Sequence, residues 1–505
     1  MQVSGKRRRR VDCMENKKFI RALYICIAVV MLIGMIVYSG VQEFWYDEVY
    51  QIGLVRPGVS LGEMLCQYTE LKDYTPPLYA LAAYVWIRLI PFSFRFLLLL
   101  PEAMTAAGVF VIALTGEKTG GKRMGLLAEL LASTSPVLIL SAGYEFRAYA
   151  LYFLAVSLVL YFLAGRVGSH EDGSSARYNG VFYTLSLILL LYSHYYGSII
   201  IGVLFALELV FIFTRKQKAT VIFYYVLSGV VFLPWLILIF LNRKRSITEF
   251  WVKPPDLQSV FKLAEFLCSK SEVQIGLFCL GIMGCIACVA VRIIKREFCF
   301  RTDAIKIYVP GVLFGVTAAM FLYGAVINPS GGIFYNRYFV GMLPCCFWIM
   351  AYGLVWLWDQ LPFTGRKKRT LSMVLCVALC VITFVQNGNT FMSDIKKKRT
   401  VSYTASVKEL SRKPDISDPD TVVLTSDNSC VRAGVELYFE ELFHMTGVNV
   451  LSQHDDGFER EITKYKKIYL FRGKQPVTEE TGEFLSGCEK IEKDKKKRIT
   501  VYLKG

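Results

Sequence analysis

Long apolar runs alternate with short polar connections from residue 19 to residue 386, after which the chain turns polar. Runs at 19–39, 97–114, 221–241, 311–327 and 371–385 approach or reach the roughly 20 apolar residues that carry an α-helix across a bilayer. The whole pattern predicts spans at 19–39, 95–115, 124–142, 147–165, 178–193, 196–213, 219–241, 273–294, 305–327, 338–358 and 370–386. That makes about eleven by the length rule. No small-residue cleavage site follows the first run, so 19–39 reads as a retained helix. The segment 77–90 is also apolar, but at about 14 residues it suits an interfacial helix better than a span. Counting it as a span would also reverse the side of every later basic loop. It is expected to lie flat on the outer surface, with Tyr79, Tyr84 and Trp86 as interfacial aromatics.

Beyond residue 387 the pattern becomes that of a small soluble α/β domain. Segments 421–425, 467–471 and 499–503 read as strands, and 405–412, 431–443 and 479–485 as helices. This tail has no glycine-rich nucleotide loop, no HEXXH and no paired CxxC, hence no catalytic motif of its own. The expected organisation is a basic cytoplasmic N-terminus (1–18), a polytopic transmembrane domain (19–386) and an extracytoplasmic α/β domain (387–505). No internal repeat is visible.

Composition and charge refine this picture. With 54% hydrophobic residues in 505, the chain is not an ordinary soluble multidomain protein. The net charge of +17 would suit nucleic acid, but the cations sit between the apolar runs: Lys6 with Arg7 to Arg10, then Lys118, Lys122 and Arg123, Arg166 and Arg177, Arg215, Lys216 and Lys218, those of 292–306, and those of 366–369. Positive-inside bias places such clusters in the cytoplasm, so the excess reports orientation, and nucleic acid is not expected as a partner. One loop opposes the scheme: 242–272 carries Arg243, Lys244, Arg245 and Lys253 yet is assigned outside. Most of the fourteen cysteines lie in or beside spans and read as small apolar fillers. Cys430 and Cys488 both fall in the outer domain, where a disulfide between them is open.

Candidate chemistry gathers at the outer ends of the spans. The first external loop opens with Glu43, Phe44, Trp45, Tyr46, Asp47 and Glu48. Adjacent carboxylates just past an apolar helix, beside Trp45, carry a solvation cost that a plain surface loop avoids. One could act as a base while the other positions a sugar hydroxyl, a basic residue or a metal; the blander reading is an interfacial aromatic anchor with solvated acids. The loop closes on Tyr74, Thr75, Pro76, Pro77, Leu78 and Tyr79, whose prolines fix the entry to the surface helix. Later outer turns hold Tyr144, Glu145, Phe146, Arg147, Ala148 and Tyr149, then Ser193, His194, Tyr195, Tyr196 and Gly197, then Asn336, Arg337 and Tyr338. Singly each has an ordinary explanation: His194 as a hydrogen-bonding structural histidine, Glu145 with Arg147 as a packing pair. Glu102, Glu129 and Glu208 lie within spans, the latter two toward cytoplasmic ends where they pair or snorkel. Together, acids, a histidine and two arginines on one face are unlike bland helix ends.

In this pattern the chain resembles the GT-C superfamily of membrane glycosyltransferases, and within it family 39, which includes protein O-mannosyltransferases and the aminoarabinose transferase of lipid A. The resemblance covers roughly the first 390 residues, and its most specific element is Trp45, Tyr46, Asp47 and Glu48 followed by Thr75 to Tyr79. It implies inverting transfer of a hexose or pentose from a polyprenyl-phosphate donor to a protein, lipid or envelope-glycan acceptor. Asp47 matches the family's catalytic aspartate, with Glu48 beside it. Glu145, Arg147, His194, Tyr195, Arg337 and Tyr338 match donor-phosphate or substrate-binding positions. Some relatives place a basic residue where this chain has Thr75, which moves the phosphate contact to Arg337. Asp47, Glu48 and Glu145 would be the candidates for a divalent metal, but family 39 relatives do not generally require one, and no cofactor is assigned.

Elementary chemistry agrees with that implication. Phosphate is already a good leaving group, so the reaction chiefly needs a cation where negative charge develops. Arginine serves because its planar fork binds phosphate oxygens in pairs and stays charged. The acceptor hydroxyl needs a base, which a carboxylate supplies. The rival reading is a transporter or flippase for lipid-linked sugars, in which polar groups would sit at mid-membrane and the halves would repeat. A noncatalytic surface receptor leaves the paired acids unexplained.

Overall fold

The computed structural model describes residues 2–39, 44, 46–70, 75–168, 174–214, 219–242, 253–327, 333–362, 382, 385–389, 391–393, 403–427, 429–472, 476–494 and 499–504. Most of these are helical, and the chain is an integral membrane protein. Eight helices are long and apolar enough to cross a bilayer: Lys18–Ser39, Phe94–Gly120, Tyr149–Val167, Tyr196–Phe213, Ala219–Leu241, Glu272–Ile294, Ile305–Ile327 and Asn336–Gln360.

The expected span at 124–142 is not one straight helix. Lys122–Ser133 and Pro136–Gly143 meet at 58°, and counted as one they make a ninth crossing. Pro136 cannot continue a helical hydrogen-bond ladder, so the chain breaks just before it. In a membrane the freed backbone must find partners. Asn387 Nδ2 donates to the Thr134 carbonyl at 2.7 Å, and the Ser135 and Ser269 hydroxyls meet at 3.1 Å. Gln274 Nε2 in turn donates to Asn387 Oδ1 at 3.2 Å. The expected count of about eleven thus becomes eight or nine among the described residues. The described apolar part of 178–193, Tyr178–Ser193, is short, and most of 370–386 lies outside the described residues. The segment expected to lie at the interface is a helix of 12 residues, Leu78–Leu89. At about 18 Å it is too short to cross.

The described residues form two compact units: Met1–Gly40, Leu65–Ala82 and Leu98–Met392 in the first, and Val41–Met64, Ala83–Leu97 and Ser393–Gly505 in the second. In the first, Glu272–Ile294 and the helix Leu343–Gln360 pack backbone to backbone. A Cβ added to Gly281 would stand 2.7 Å from Met350 Cα, and one on Gly284 would meet Gly353. Small residues at such a seam supply the van der Waals contact that drives helix association in lipid.

One end of this unit is tied by a buried polar network. Arg166 pairs with Glu208, Tyr308 donates to the second Glu208 oxygen at 2.6 Å, and Tyr183 and Tyr225 share a hydrogen bond at 2.9 Å, with the Arg166 guanidinium over the Tyr183 ring. Five helices contribute. Glu208 therefore pairs, as expected of it, whereas Glu129 is fully buried and neither of its oxygens has a hydrogen bond among the described residues.

The second unit contains the α/β domain. Its five strands are β1 (Thr421–Thr425), β2 (Val450–Ser452), β3 (Lys467–Phe471), β4 (Glu489–Asp494) and β5 (Ile499–Leu503), in the order β2-β1-β3-β5-β4. β1 pairs parallel with β2 and β3, while β3–β5 and β5–β4 are antiparallel. Alternate residues feed two cores. Val423, Tyr469, Phe471 and Val501 pack with the helices Tyr403–Leu410 and Ser429–Phe443, whereas Val422, Leu424, Ile468 and Leu470 pack with Phe458–Ile462 and Glu479–Ser486. Both faces of β1 are covered, so it reads as one continuous apolar run. Cys488 has a free thiol directed at the Phe484 carbonyl, 3.6 Å away; the Cys430 side chain lies outside the described residues.

Candidate active site

In the first unit, three of the predicted turns meet. The bent helix ends at Gly143, and residues 144–148 turn into the helix Tyr149–Gly168. Glu145 is buried in this turn, and Arg147 N–H donates to the Glu145 carbonyl at 2.7 Å, which tightens it. Arg337 reaches the same turn from the 3₁₀ segment Asn336–Met342: its Nε lies 3.7 Å from Glu145 Oε2. That separation is an ion pair without a direct hydrogen bond. Arg147, Arg337 and Glu145 all act electrostatically on the Tyr149 phenol. The turn thus gathers two arginines and one acid around Tyr149, a composition that favours an anion.

His194 sits in the break between the helices Ser174–Ser193 and Tyr196–Phe213. It is buried, and its Nδ1 accepts from the Tyr196 N–H at 3.3 Å, which leaves the proton of the neutral ring on Nε2. Five tyrosines surround it: Tyr195 stacks at 4.5 Å and Tyr152 at 4.9 Å between ring centroids, with Tyr149, Tyr196 and Tyr338 within 5.9 Å. Tyr196 also donates to the Ile333 carbonyl, tying this turn to the segment before Arg337. Burial, then the phenols of Tyr196, Tyr338 and Tyr149 and a hydrogen bond with Tyr338, push the Tyr195 phenol well above its ordinary range. Tyr195 therefore keeps its proton.

The sequence placed Tyr149 in an outer turn but did not set it beside His194, and Tyr152 was passed over. Their i, i+3 spacing at a helix start puts both on one face, and that was the available signal. Tyr79, expected as an interfacial aromatic, is instead buried edge-on against Phe146 at 5.7 Å.

Asp47 and Glu48 belong to the second unit, in the first turn of the helix Tyr46–Val55. Acids there are favoured by the helix N-terminus, which explains in part why they stand side by side. They differ in exposure: Glu48 is 2% exposed, whereas Asp47 is half-buried. Glu43 and Trp45 lie outside the described residues. Among the described residues no group of three His, Cys, Asp or Glu side chains could hold a metal ion.

No family model matches the chain, and no curated protein matches it in sequence. Solved structures do match. ArnT from Cupriavidus metallidurans bound to undecaprenyl phosphate superposes with a TM-score of 0.59 at 12% identity, over 95% of this chain and 97% of that one. The oligosaccharyltransferase of Archaeoglobus fulgidus in the apo form gives 0.54 at 12% identity, over 90% and 70%. At such identity the likeness is one of fold, and it extends into the C-terminal domain, further than the motifs suggested. The chain therefore has the fold of the GT-C membrane glycosyltransferases.

Proposed function

We propose that the chain is a glycosyltransferase that moves a sugar from a polyprenyl-phosphate donor to an acceptor hydroxyl on the outer face of the membrane, with inversion at the anomeric carbon. The observation that carries this reading is the meeting of Arg337 and Glu145 near Arg147 and the tyrosine array, in a fold shared with a structure bound to undecaprenyl phosphate. In the step proposed, the acceptor oxygen attacks the anomeric carbon and the bond to the phosphate oxygen breaks. Polyprenyl phosphate leaves, and the acceptor proton passes to Asp47. Arg337 and Arg147 bind the phosphate as its charge grows. Glu145 holds Arg337 in orientation, Glu48 orients Asp47 or the donor, and His194, Tyr195 and Tyr338 contact the sugar or phosphate.

The test is donor turnover. Purified protein added to native membranes should release polyprenyl phosphate from lipid-linked sugars and glycosylate an acceptor, both read by mass spectrometry. Movement of intact lipid-linked sugar across vesicles without cleavage would establish the transporter reading instead. Arg337→Lys should lower transfer about 10- to 100-fold although the charge is kept, because an ammonium cannot reproduce the paired hydrogen bonds. Unchanged turnover and donor affinity would remove Arg337 from the site.

The orientation proposed puts the N-terminus in the cytoplasm and 387–505 outside. In a background lacking exposed cysteines, Glu483→Cys should react with an impermeant thiol reagent on intact cells, and Lys295→Cys only after lysis. Both positions are solvent-exposed, so the reverse pattern would invert the topology.

A further inference from the structure

We propose that the C-terminal domain positions the Asp47-bearing helix, and that Gly434 is the positioning residue. The inference rests on the role proposed for Asp47. The helix Ser429–Phe443 has two working faces. Val435 and Phe439 are buried in the core of the α/β domain. Tyr438 belongs to the same core, at its border with Phe94, and Gly434, four residues before it and hence on a common face, meets Val49.

At Gly434 the approach is close. A Cβ there would stand 2.9 Å from Val49 Cγ1 and 3.5 Å from Val49 Cγ2, and Val49 is buried two residues beyond Asp47. Real Cβ atoms do not come that near, so any side chain at 434 must displace Val49 or its helix, and a β-branched valine has little freedom to yield. Four residues on, Tyr438 packs edge-on against Phe94 at 5.2 Å, and Phe94 packs in the same manner against Phe44 at 5.0 Å. Phe44 and Val49 thus anchor both sides of Asp47. Arg56 Nη1, past the end of the helix Tyr46–Val55, lies 3.9 Å from Glu440 Oε2, but both side chains are nearly half exposed and the pair contributes little. Glycine in a helix interior weakens the helix, so its presence in the middle of Ser429–Phe443 calls for a reason, and the contact with Val49 supplies one.

The test uses the full-length protein. Gly434→Val should lower kcat for polyprenyl phosphate release in native membranes by about 10- to 100-fold, since a misplacement of about 1 Å costs on that order. Donor KM should stay within about twofold, because the phosphate-binding arginines are untouched. Amide hydrogen exchange over Tyr46–Val55 should quicken, and Gly434→Ala should fall between the two. Val49→Ala combined with Gly434→Val should restore most of the turnover and of the protection. Unchanged turnover and exchange in Gly434→Val would overturn the proposal, as would a loss accompanied by a lowered unfolding midpoint that Val49→Ala does not rescue. Asp47→Asn separates the two levels. If that variant transfers normally, the role of Asp47 is wrong whatever Gly434 does; if it is inactive while Gly434→Val is fully active, only the positioning role is wrong.

Discussion

Asp47→Asn is expected to cut sugar transfer by about 10²- to 10⁴-fold, the usual contribution of a general base, while protein yield and donor binding persist. The substitution keeps the shape of the side chain and removes its capacity to take a proton. Of the two adjacent acids, Glu48 is buried and Asp47 only half-buried, so Asp47 is the more accessible to a hydroxyl. Glu48→Gln should accordingly be milder. The comparison needs transfer rate, donor affinity and membrane abundance measured on the same preparations. Near-normal transfer in Asp47→Asn together with its loss in Glu48→Gln or Glu145→Gln would show that the base is misassigned.

Arg166→Met is expected to destabilise the folded protein by about 3–5 kcal/mol, because it leaves the Glu208 carboxylate buried beside Tyr308 without its cation. The Arg166 side chain is 9% exposed and that of Glu208 1%, so water cannot take the place of the partner. Replacing both by methionine should recover much of the loss, since an apolar pair carries no desolvation cost. Thermal unfolding in detergent reads both effects. Arg166 follows Tyr149 in one helix by about 25 Å of axial rise. The turnover of protein that stays folded should therefore change little, which separates this stability device from the proposed chemistry. Equal midpoints for the single variant and the unaltered protein would mean that the pair contributes nothing.

What was legible in the sequence follows from how local each signal is. A run of apolar residues long enough to cross lipid has few alternatives, because backbone groups in lipid must be satisfied within the segment. The main helices were therefore visible from hydropathy alone. In the α/β domain, β1, β3 and β5 coincide with the predicted strands because their burial makes them near-continuous apolar runs. β2 and β4 escaped notice. β2 has only three residues, and β4 reads Glu-Lys-Ile-Glu-Lys-Asp, a charged stretch with no apolar alternation. The sheet order puts both at its edges, where shortness and charge deter unwanted pairing. That explanation appears only once the order is known.

By itself the sequence determined that the chain crosses the membrane many times, ends in an α/β domain, and carries acids, arginines and a histidine at the ends of its helices. Only the tertiary structure decided which of these meet. Glu145 pairs with Arg337 from a distant turn, and His194 is enclosed by tyrosines from several helices. It also decided that 124–142 bends, because the break at Pro136 is tolerable only where a partner such as Asn387 meets the freed Thr134 carbonyl. Gly434 is the extreme case. Read locally it is a weak spot in a helix, and its use depends on Val49, a residue far away in the chain whose approach no periodicity encodes. Periodicity reports which face of an element is buried, but the identity of what covers that face is set by packing among all the elements at once.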